Sequence, residues 1–292
     1  MNGIRELLAY SFMVNALVTG SAVAVASAAS GYFMVCRRAT FAGHALPNIG
    51  FAGAAGAVLL GIEPVYGLFA ITLLAALAMG LVARDLRERD VTVGVIMTFT
   101  LGLGFLFLAL YSGYAARVYG ILFGSILGIS AGAARLSVVA AAASLVVLAF
   151  LYRPLLFSTF DPELARARGV PVLFLSVAFL MLLGVIVSIA VQLMGALLLF
   201  TLMVGPAATA TRIVKGPAAA IALSVTLGLL YVWVGILAAA VSGTLPVSFC
   251  IATLSFAVYL PVRLFVGPRA RMGEKQRGVV DTPRDGGARA YS

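Results

Sequence analysis

Near the middle of the chain stands the charged segment Ser158-Thr159-Phe160-Asp161-Pro162-Glu163-Leu164-Ala165-Arg166-Ala167-Arg168-Gly169-Val170, flanked by long apolar runs. Elsewhere the 292-residue chain is poor in charge, since 10% of all residues are charged and 63% are hydrophobic. A soluble domain carries about 25% charged residues. Apolar runs of about 20 residues recur, and each can cross a hydrocarbon core of about 30 Å as a helix. The sequence therefore predicts an all-α, polytopic membrane protein whose charged segment binds a soluble partner.

Nine apolar segments are predicted to span the membrane. They are residues 11–34, 42–60, 65–83, 91–111, 134–152, 172–190, 193–211, 217–241 and 247–266. If the loop after the first segment is cytoplasmic, only Arg5, Arg117 and Arg135 of the 20 basic residues fall outside. This predicts an outside N-terminus and an inside C-terminus, and it explains the net charge of +10 without nucleic acid. We expect a transmembrane domain over 1–266 and a basic, disordered cytoplasmic tail over 267–292.

The distribution of ionisable residues argues against several function classes. All ten carboxylates fall in loops or termini of this topology, whereas ion-coupled carriers keep ionisable residues at mid-membrane depth. A P-loop needs Gly-Lys-Ser/Thr, and the only lysines, Lys215 and Lys275, follow Val214 and Glu274. No nucleophile–base pair indicates an enzyme. Uphill transport through this chain would therefore need energy from another subunit.

The charged segment has the pattern of a short helix. Asp161 can cap free backbone N–H groups, and Pro162 suits the first helical turn. Gly169 can end the helix, and Ala165 with Gly169 would form a small patch that fits a cleft in a partner. The alternative is an ordinary solvated linker.

Three further motifs lie within or beside apolar segments. His44 and Asn48 are four residues apart, hence on one helical face, and neutral imidazole is a favoured zinc ligand. Gly195 permits close helix contact and Pro206 can kink a span, which suggests either a gate or static packing. Glycines recur every fourth residue over 120–128, which favours tight helix packing, and the sequence leaves open whether 118–130 is re-entrant.

Four ordered stretches together resemble the permease subunits of the zinc/manganese/iron family of ATP-binding-cassette (ABC) importers. They are RR at 37–38 followed by FAGHALPNIGFAG at 41–53, LFGSILG at 122–128, FDPELA at 160–165 followed by GV at 169–170, and MGALLL at 194–199 followed by GPAATA at 205–210. The resemblance extends from about residue 10 to residue 265 and is greatest to zinc permeases.

The resemblance implies a type II importer-like fold in the bacterial cytoplasmic membrane. Two copies of the chain would form the pathway, and a periplasmic or surface metal-binding protein would deliver the ion. ATP and Mg²⁺ would be bound by a separate ATPase, not by this chain. The segment over about 158–170 would be the coupling helix received by that ATPase, with five coupling residues: Asp161, Pro162, Glu163, Ala165 and Gly169.

Pathway or gate residues are then expected at His44, Asn48, Gly195 and Pro206. The family often carries Asp, followed by His one turn later, where this chain has His44 and Asn48, so a tight two-ligand site is not expected. We expect a transient metal contact at His44, with a packing histidine as the alternative. Imidazole and the lack of membrane carboxylates favour zinc over manganese. The rival functions are an iron-chelate or cobalamin permease and an ATP-independent carrier.

Overall fold

The computed structural model describes residues 11–82, 86–111 and 131–266, and all regular secondary structure in these ranges is helical. Within them the helices are α1 (Ser11–Cys36), α2 (Thr40–Leu59), α3 (Pro64–Val82), α4 (Leu86–Leu110), α5 (Ala131–Phe160), α6 (Pro162–Ala167), α7 (Val172–Met194), α8 (Ala196–Ile213), α9 (Pro217–Ser242) and α10 (Val247–Val266). The predictions for 118–130 and for the tail 267–292 lie outside the described residues.

Each of the nine predicted spans overlaps one of these helices. In the described part of the chain, seven helices are long and apolar enough to cross a membrane, namely α1, α3, α4, α5, α7, α9 and α10. Their outer faces carry exposed large apolar side chains, such as Phe99 on α4 and Phe256 on α10. The fold is therefore that of an α-helical membrane protein, while the count of nine spans and the orientation of the termini stay predictions.

Helix α1 lies inside the bundle and packs against α5, α7, α8 and α9. Small residues allow this close packing, because a Cβ on Gly31 would overlap the backbone carbonyl of Met203 in α8. The Ser224 hydroxyl of α9 donates a hydrogen bond to the Ala28 carbonyl of α1 at 3.0 Å. Lipid supplies no hydrophobic force between helices, so contacts of this kind hold the bundle together.

Helix α2 lies between α3 and α4, and α3 in turn packs against α7. The α2–α3 contact is close because a Cβ on Gly53 or on Gly67 would overlap the carbonyl oxygen of the other glycine. Most of α2 is buried, although it carries His44, Pro47 and Asn48. Its neighbours therefore shield these polar groups and the proline from lipid.

The break between α7 and α8 differs from the one predicted. The sequence placed it at 191–192 and gave Gly195 a role in close helix contact. In the structure Gly195 is the single residue between the two helices, with φ of 82°, a conformation that other residues rarely adopt. The glycine is needed for the backbone conformation of this connection, which an apolar run in the sequence does not reveal.

Candidate functional site

The charged segment forms α6, a six-residue helix joined to α5 by Asp161 alone and to α7 by residues 168–171. Oδ1 of Asp161 accepts a hydrogen bond from the Leu164 N–H at 2.9 Å and caps the helix. Pro162 occupies the first turn, where no intrahelical N–H donor is needed. Gly169 follows the helix with φ of 79°. The prediction of a short helix with this cap and this terminating glycine is confirmed.

Four of the five predicted coupling residues lie on the surface and one does not. Asp161, Pro162, Glu163 and Gly169 are exposed, whereas Ala165 is fully buried by the chain itself. The predicted Ala165–Gly169 contact patch was therefore wrong, because Ala165 is buried against the rest of the chain. Since α6 packs against both α5 and α7, Ala165 attaches the helix to the bundle and leaves the opposite face free.

Exposed apolar side chains lie in α6 and near the ends of the two helices that flank it, and the residues predicted from the sequence did not include them. Phe160 is 64% exposed, Leu164 is 42% exposed and Phe174 is 64% exposed. Phe160 and Leu164 adjoin the charged residues Asp161 and Glu163 in the sequence, unlike the lipid-facing side chains of the long helices. An apolar patch rimmed by charge is typical of a surface that binds another protein. The available signal was the pair Phe160 and Leu164 within the charged segment.

His44 lies in the first part of α2 and is partly buried. Its ring packs edge-on against Phe200 of α8, with centroids 5.0 Å apart and an interplanar angle of 74°. This contact joins the two predicted pathway regions, one around His44 and the other between Gly195 and Pro206. The geometry agrees with a histidine at the α2–α8 contact and by itself fits either a packing or a pathway role.

Asn48 lies on the same face of α2, one turn beyond His44, as predicted. Its Nδ2 donates a hydrogen bond to the His44 carbonyl at 2.9 Å and approaches Sδ of Met97 on α4 at 4.0 Å. Met97 was not predicted, because nothing in the sequence relates it to α2. The Asn48 amide thus contacts both the His44 backbone carbonyl and the Met97 thioether, while the His44 imidazole packs against Phe200.

These donors do not form a closed metal centre. Among the described residues, no group of three or more His, Cys, Asp or Glu side chains could hold a metal ion. A structural zinc site needs four nitrogen or sulfur ligands. The transient metal contact expected at His44 stays a prediction.

Comparison with known proteins identifies the group to which the chain belongs. The family model of the ABC 3 transport family matches residues 9–266. The chain belongs to the ABC 3 transport family. It is 30% identical over 275 residues to the manganese import system permease protein ScaB of Streptococcus pneumoniae, covering 92% of this chain and 95% of that one. It is also 25% identical over 232 residues to the high-affinity zinc uptake system membrane protein ZnuB of Haemophilus influenzae, covering 79% and 89% respectively.

A solved structure supports the fold of this ABC 3 family protein over nearly its whole length. The structure of PsaBC from Streptococcus pneumoniae in complex with Fab is similar with a TM-score of 0.80 and 26% identity, covering 94% of this chain and 98% of that chain. The protein is a multi-pass membrane permease of the bacterial cytoplasmic membrane. The predicted family resemblance is confirmed.

Pro206 of this ABC 3 family permease lies inside α8 at a closely packed position. A Cβ on the adjacent Gly205 would overlap the Ser255 hydroxyl of α10. On the α9 side, a Cβ on Gly228 would lie 3.9 Å from the Pro206 ring. Pro206 also removes one backbone hydrogen bond from α8. This stretch of α8 thus packs against two neighbouring helices, and its role as a gate stays a prediction.

Proposed function

We propose that the protein forms the membrane pathway of an ATP-driven importer of divalent transition-metal ions. Two copies of the chain line the pathway, and a metal-binding protein delivers the ion to the outer face. Two separate ATPase subunits bind ATP and Mg²⁺, and this chain hydrolyses no ATP. Relatives named as manganese import and zinc uptake permeases support the class of substrate.

The observation that carries this proposal is α6. A capped helix with a free charged and apolar surface projects between two long helices, and the chain has no Gly-Lys-Ser/Thr sequence with which to bind nucleotide. We infer that the ATPase receives α6 through Asp161, Pro162, Glu163 and Leu164. Gly169 sets the exit of the chain from this helix. Ala165 lies on the buried face of α6 and holds this helix against the bundle.

The proposed ion pathway passes the contact between α2 and α8. His44 contributes imidazole nitrogens there, and Asn48, one turn further along α2, contributes an amide that contacts the Met97 thioether of α4. A conducting site must bind weakly enough to release the ion, and so small a donor set meets that condition. Gly195 and Pro206 give α8 an interrupted start and a weakened backbone, which supports movement of this helix during transport.

We propose zinc as the transported ion because of the chemistry of these residues. Imidazole nitrogen suits zinc, whereas manganese prefers carboxylate, carbonyl and water oxygens. In the described long helices the carboxylates are Glu88 and Asp90, at the start of α4. Manganese is the second candidate, because the ScaB permease, which is named for manganese import, is 30% identical to this chain.

The proposal is tested by uptake into proteoliposomes that hold the permease with its cognate ATPase and binding protein. Labelled zinc or manganese is added outside, and ATP or a non-hydrolysable analogue is enclosed inside. We expect uptake of zinc with ATP and none with the analogue. ATP-driven uptake of manganese instead would support the proposed mechanism and identify manganese as the transported ion.

The rival functions give different results in the same assay. Uptake that is equal with ATP and with the analogue would contradict the proposal and establish an ATP-independent carrier. An ATP-driven complex that takes up an iron chelate or cobalamin, but neither free metal, would establish the chelate-type permease. A catalytically inactive ATPase subunit serves as the matched control, since it preserves assembly and removes only hydrolysis.

A further inference from the structure

Arg37 connects three helices around the base of α6. It follows the last residue of α1, and its Nη1 donates hydrogen bonds to Ser158 Oγ at 3.0 Å and Thr159 Oγ1 at 3.2 Å, both near the end of α5. Its Nη2 donates to Ser176 Oγ at 2.7 Å, near the start of α7. The guanidinium also lies over the Phe179 ring at 5.8 Å from the centroid. One side chain thus forms hydrogen bonds with both α5, which precedes α6, and α7, which follows it.

The Arg37 guanidinium has only N–H donors, so the three hydroxyl oxygens accept in these hydrogen bonds. Ser158, Thr159 and Ser176 each donate their own hydrogen to a backbone carbonyl about one turn earlier in the same helix. Their oxygen lone pairs are therefore left to accept from Arg37. The three acceptors belong to two helices, and the planar guanidinium fork of arginine suits such a set better than the point charge of lysine.

Arg37 also lies next to the helix that carries the predicted pathway residues. Residues 37–39 form the whole connection between α1 and α2. Within that connection the Ala39 N–H donates to the Met34 carbonyl at 2.9 Å, which ties the turn to α1. His44 follows early in α2. If the ends of α5 and α7 move, the Arg37 side chain and the three-residue connection 37–39 would therefore transmit that movement to α2.

We propose that Arg37 is a positioning residue that transmits movement of α6 to α1 and α2. The inference rests on the proposed function, because it takes α6 as the contact for the ATPase. Coupling between distant sites is carried by hydrogen-bond networks and rigid helices with two arrangements. Arg37 supplies such a network between the helix that the ATPase moves and the helix that contacts the ion.

The test compares Arg37→Gln with Arg38→Gln in the complete transporter. Arg38 is the adjacent residue and is exposed, so its replacement removes the same charge from the same connection. Any effect of that charge on membrane orientation is therefore shared by both variants. ATP hydrolysis and ion uptake are measured in the same proteoliposomes, and the number of ions transported per ATP hydrolysed is the readout.

We expect Arg37→Gln to assemble with the ATPase and hydrolyse ATP but to transport about tenfold fewer ions per ATP, which corresponds to roughly 1.4 kcal/mol. Arg38→Gln should keep the wild-type ratio, and Arg37→Lys should restore part of it because it keeps the charge without the fork. A purely structural role for Arg37 would lower assembly, hydrolysis and transport together and leave their ratio unchanged.

A wild-type ratio in assembled Arg37→Gln overturns this inference alone, provided the wild-type complex shows ATP-driven uptake. If uptake by the wild-type complex does not depend on ATP, the proposed function is overturned and this inference with it. If Arg37→Gln does not assemble, Ser176→Ala decides the question from the acceptor side. A reduced ratio in that variant supports the inference, and a wild-type ratio overturns it.

Discussion

At the scale of single residues, His44 has a packing role that the structure shows and a ligand role that we propose. Its ring contacts Phe200 edge-on, a geometry that stabilises an aromatic pair by about 0.5–1.5 kcal/mol beyond buried area. Its nitrogens are the only imidazole nitrogens in the chain, since His44 is the only histidine. The two roles are separable, because phenylalanine keeps the ring and loses the nitrogens.

We expect His44→Phe and His44→Ala to assemble normally and to reduce ATP-driven zinc uptake by about tenfold, the effect of roughly 1.4 kcal/mol of lost pathway stabilisation. The physical reason is that both variants lack an imidazole nitrogen for the passing ion. Uptake is measured as initial rate against zinc concentration. A wild-type rate in His44→Phe together with a reduced rate in His44→Ala would show that the ring only packs.

At the scale of elements, the residues at the two ends of α6 determine where this helix begins and how the chain leaves it. Asp161 satisfies a free N–H at the start, which typically stabilises a helix by about 1 kcal/mol. Gly169 allows the chain to leave with positive φ at the other end. So short a helix is unstable in isolation, and buried Ala165 adds the tertiary contact that holds it. The end residues therefore control the orientation of the surface offered to the ATPase.

We predict that Gly169→Val inserts in the membrane but loses coupled transport and weakens association with the ATPase. A β-branched residue at φ of 79° costs about 1–3 kcal/mol of backbone strain and would shift the exit of α6. Gly216→Val is the matched control, because Gly216 is also exposed and has φ of −178°, and a Cβ there would meet no described atom within 4 Å beyond its chain neighbours. Co-purification of the ATPase and ATP-driven uptake check both variants.

Equal ATPase recovery and equal uptake in the two glycine variants would contradict the assignment of α6 as the coupling helix. Loss of both in each variant would show a general intolerance of loop glycines to substitution and would equally remove support for α6. Only a selective loss in Gly169→Val agrees with the proposal. Glu163→Lys, which reverses an exposed charge on α6, should likewise abolish ATPase association without affecting insertion.

At the scale of the whole molecule, burial decides which helices tolerate polar residues. Helix α2 contains His44, Pro47 and Asn48, yet most of it is buried. Polar and backbone groups are costly in lipid and are tolerated where other helices cover them. By contrast, α4 and α10 carry many exposed large apolar side chains. We therefore expect α2 to cross the membrane inside the bundle although it is not among the seven strongly apolar spans.

The predicted topology of nine spans is tested with single cysteines placed in a chain that carries Cys36→Ser and Cys250→Ser. We expect Ile62→Cys and Thr244→Cys to react with a membrane-impermeant maleimide in intact cells. Ala167→Cys and Lys215→Cys should react only after the membrane is opened, because they lie on the cytoplasmic side with most of the Lys and Arg residues. All four positions are exposed, so accessibility depends on the side of the membrane.

The labelling pattern distinguishes nine spans from seven. If α2 does not cross the membrane, Ile62→Cys lies on the same side as the 37–39 connection and is protected in intact cells. If α8 does not cross, Lys215→Cys and Ala167→Cys lie on opposite sides. Either pattern would contradict the nine-span prediction, and labelling of all four cysteines in intact cells would indicate that cell integrity was lost.

The amino-acid sequence by itself determined the class of the protein, its family and the local structure of α6. Membrane spans follow from the length and apolar content of contiguous runs, and a helix cap depends on residues three positions apart, as with Asp161 and Leu164. These are local properties, so a single sequence contains them. The family was recognisable because four motifs occur in a fixed order.

Only the tertiary structure decided which residues meet across helices. Arg37 contacts Ser176, 139 positions along the chain, and His44 packs against Phe200. The burial of Ala165 likewise depends on how α5 and α7 enclose α6. In a membrane protein nearly every helix face is apolar, so hydrophobic periodicity does not tell a lipid-facing surface from a helix–helix contact. Small residues let two helix surfaces approach closely, and only the packed structure shows which surfaces do so.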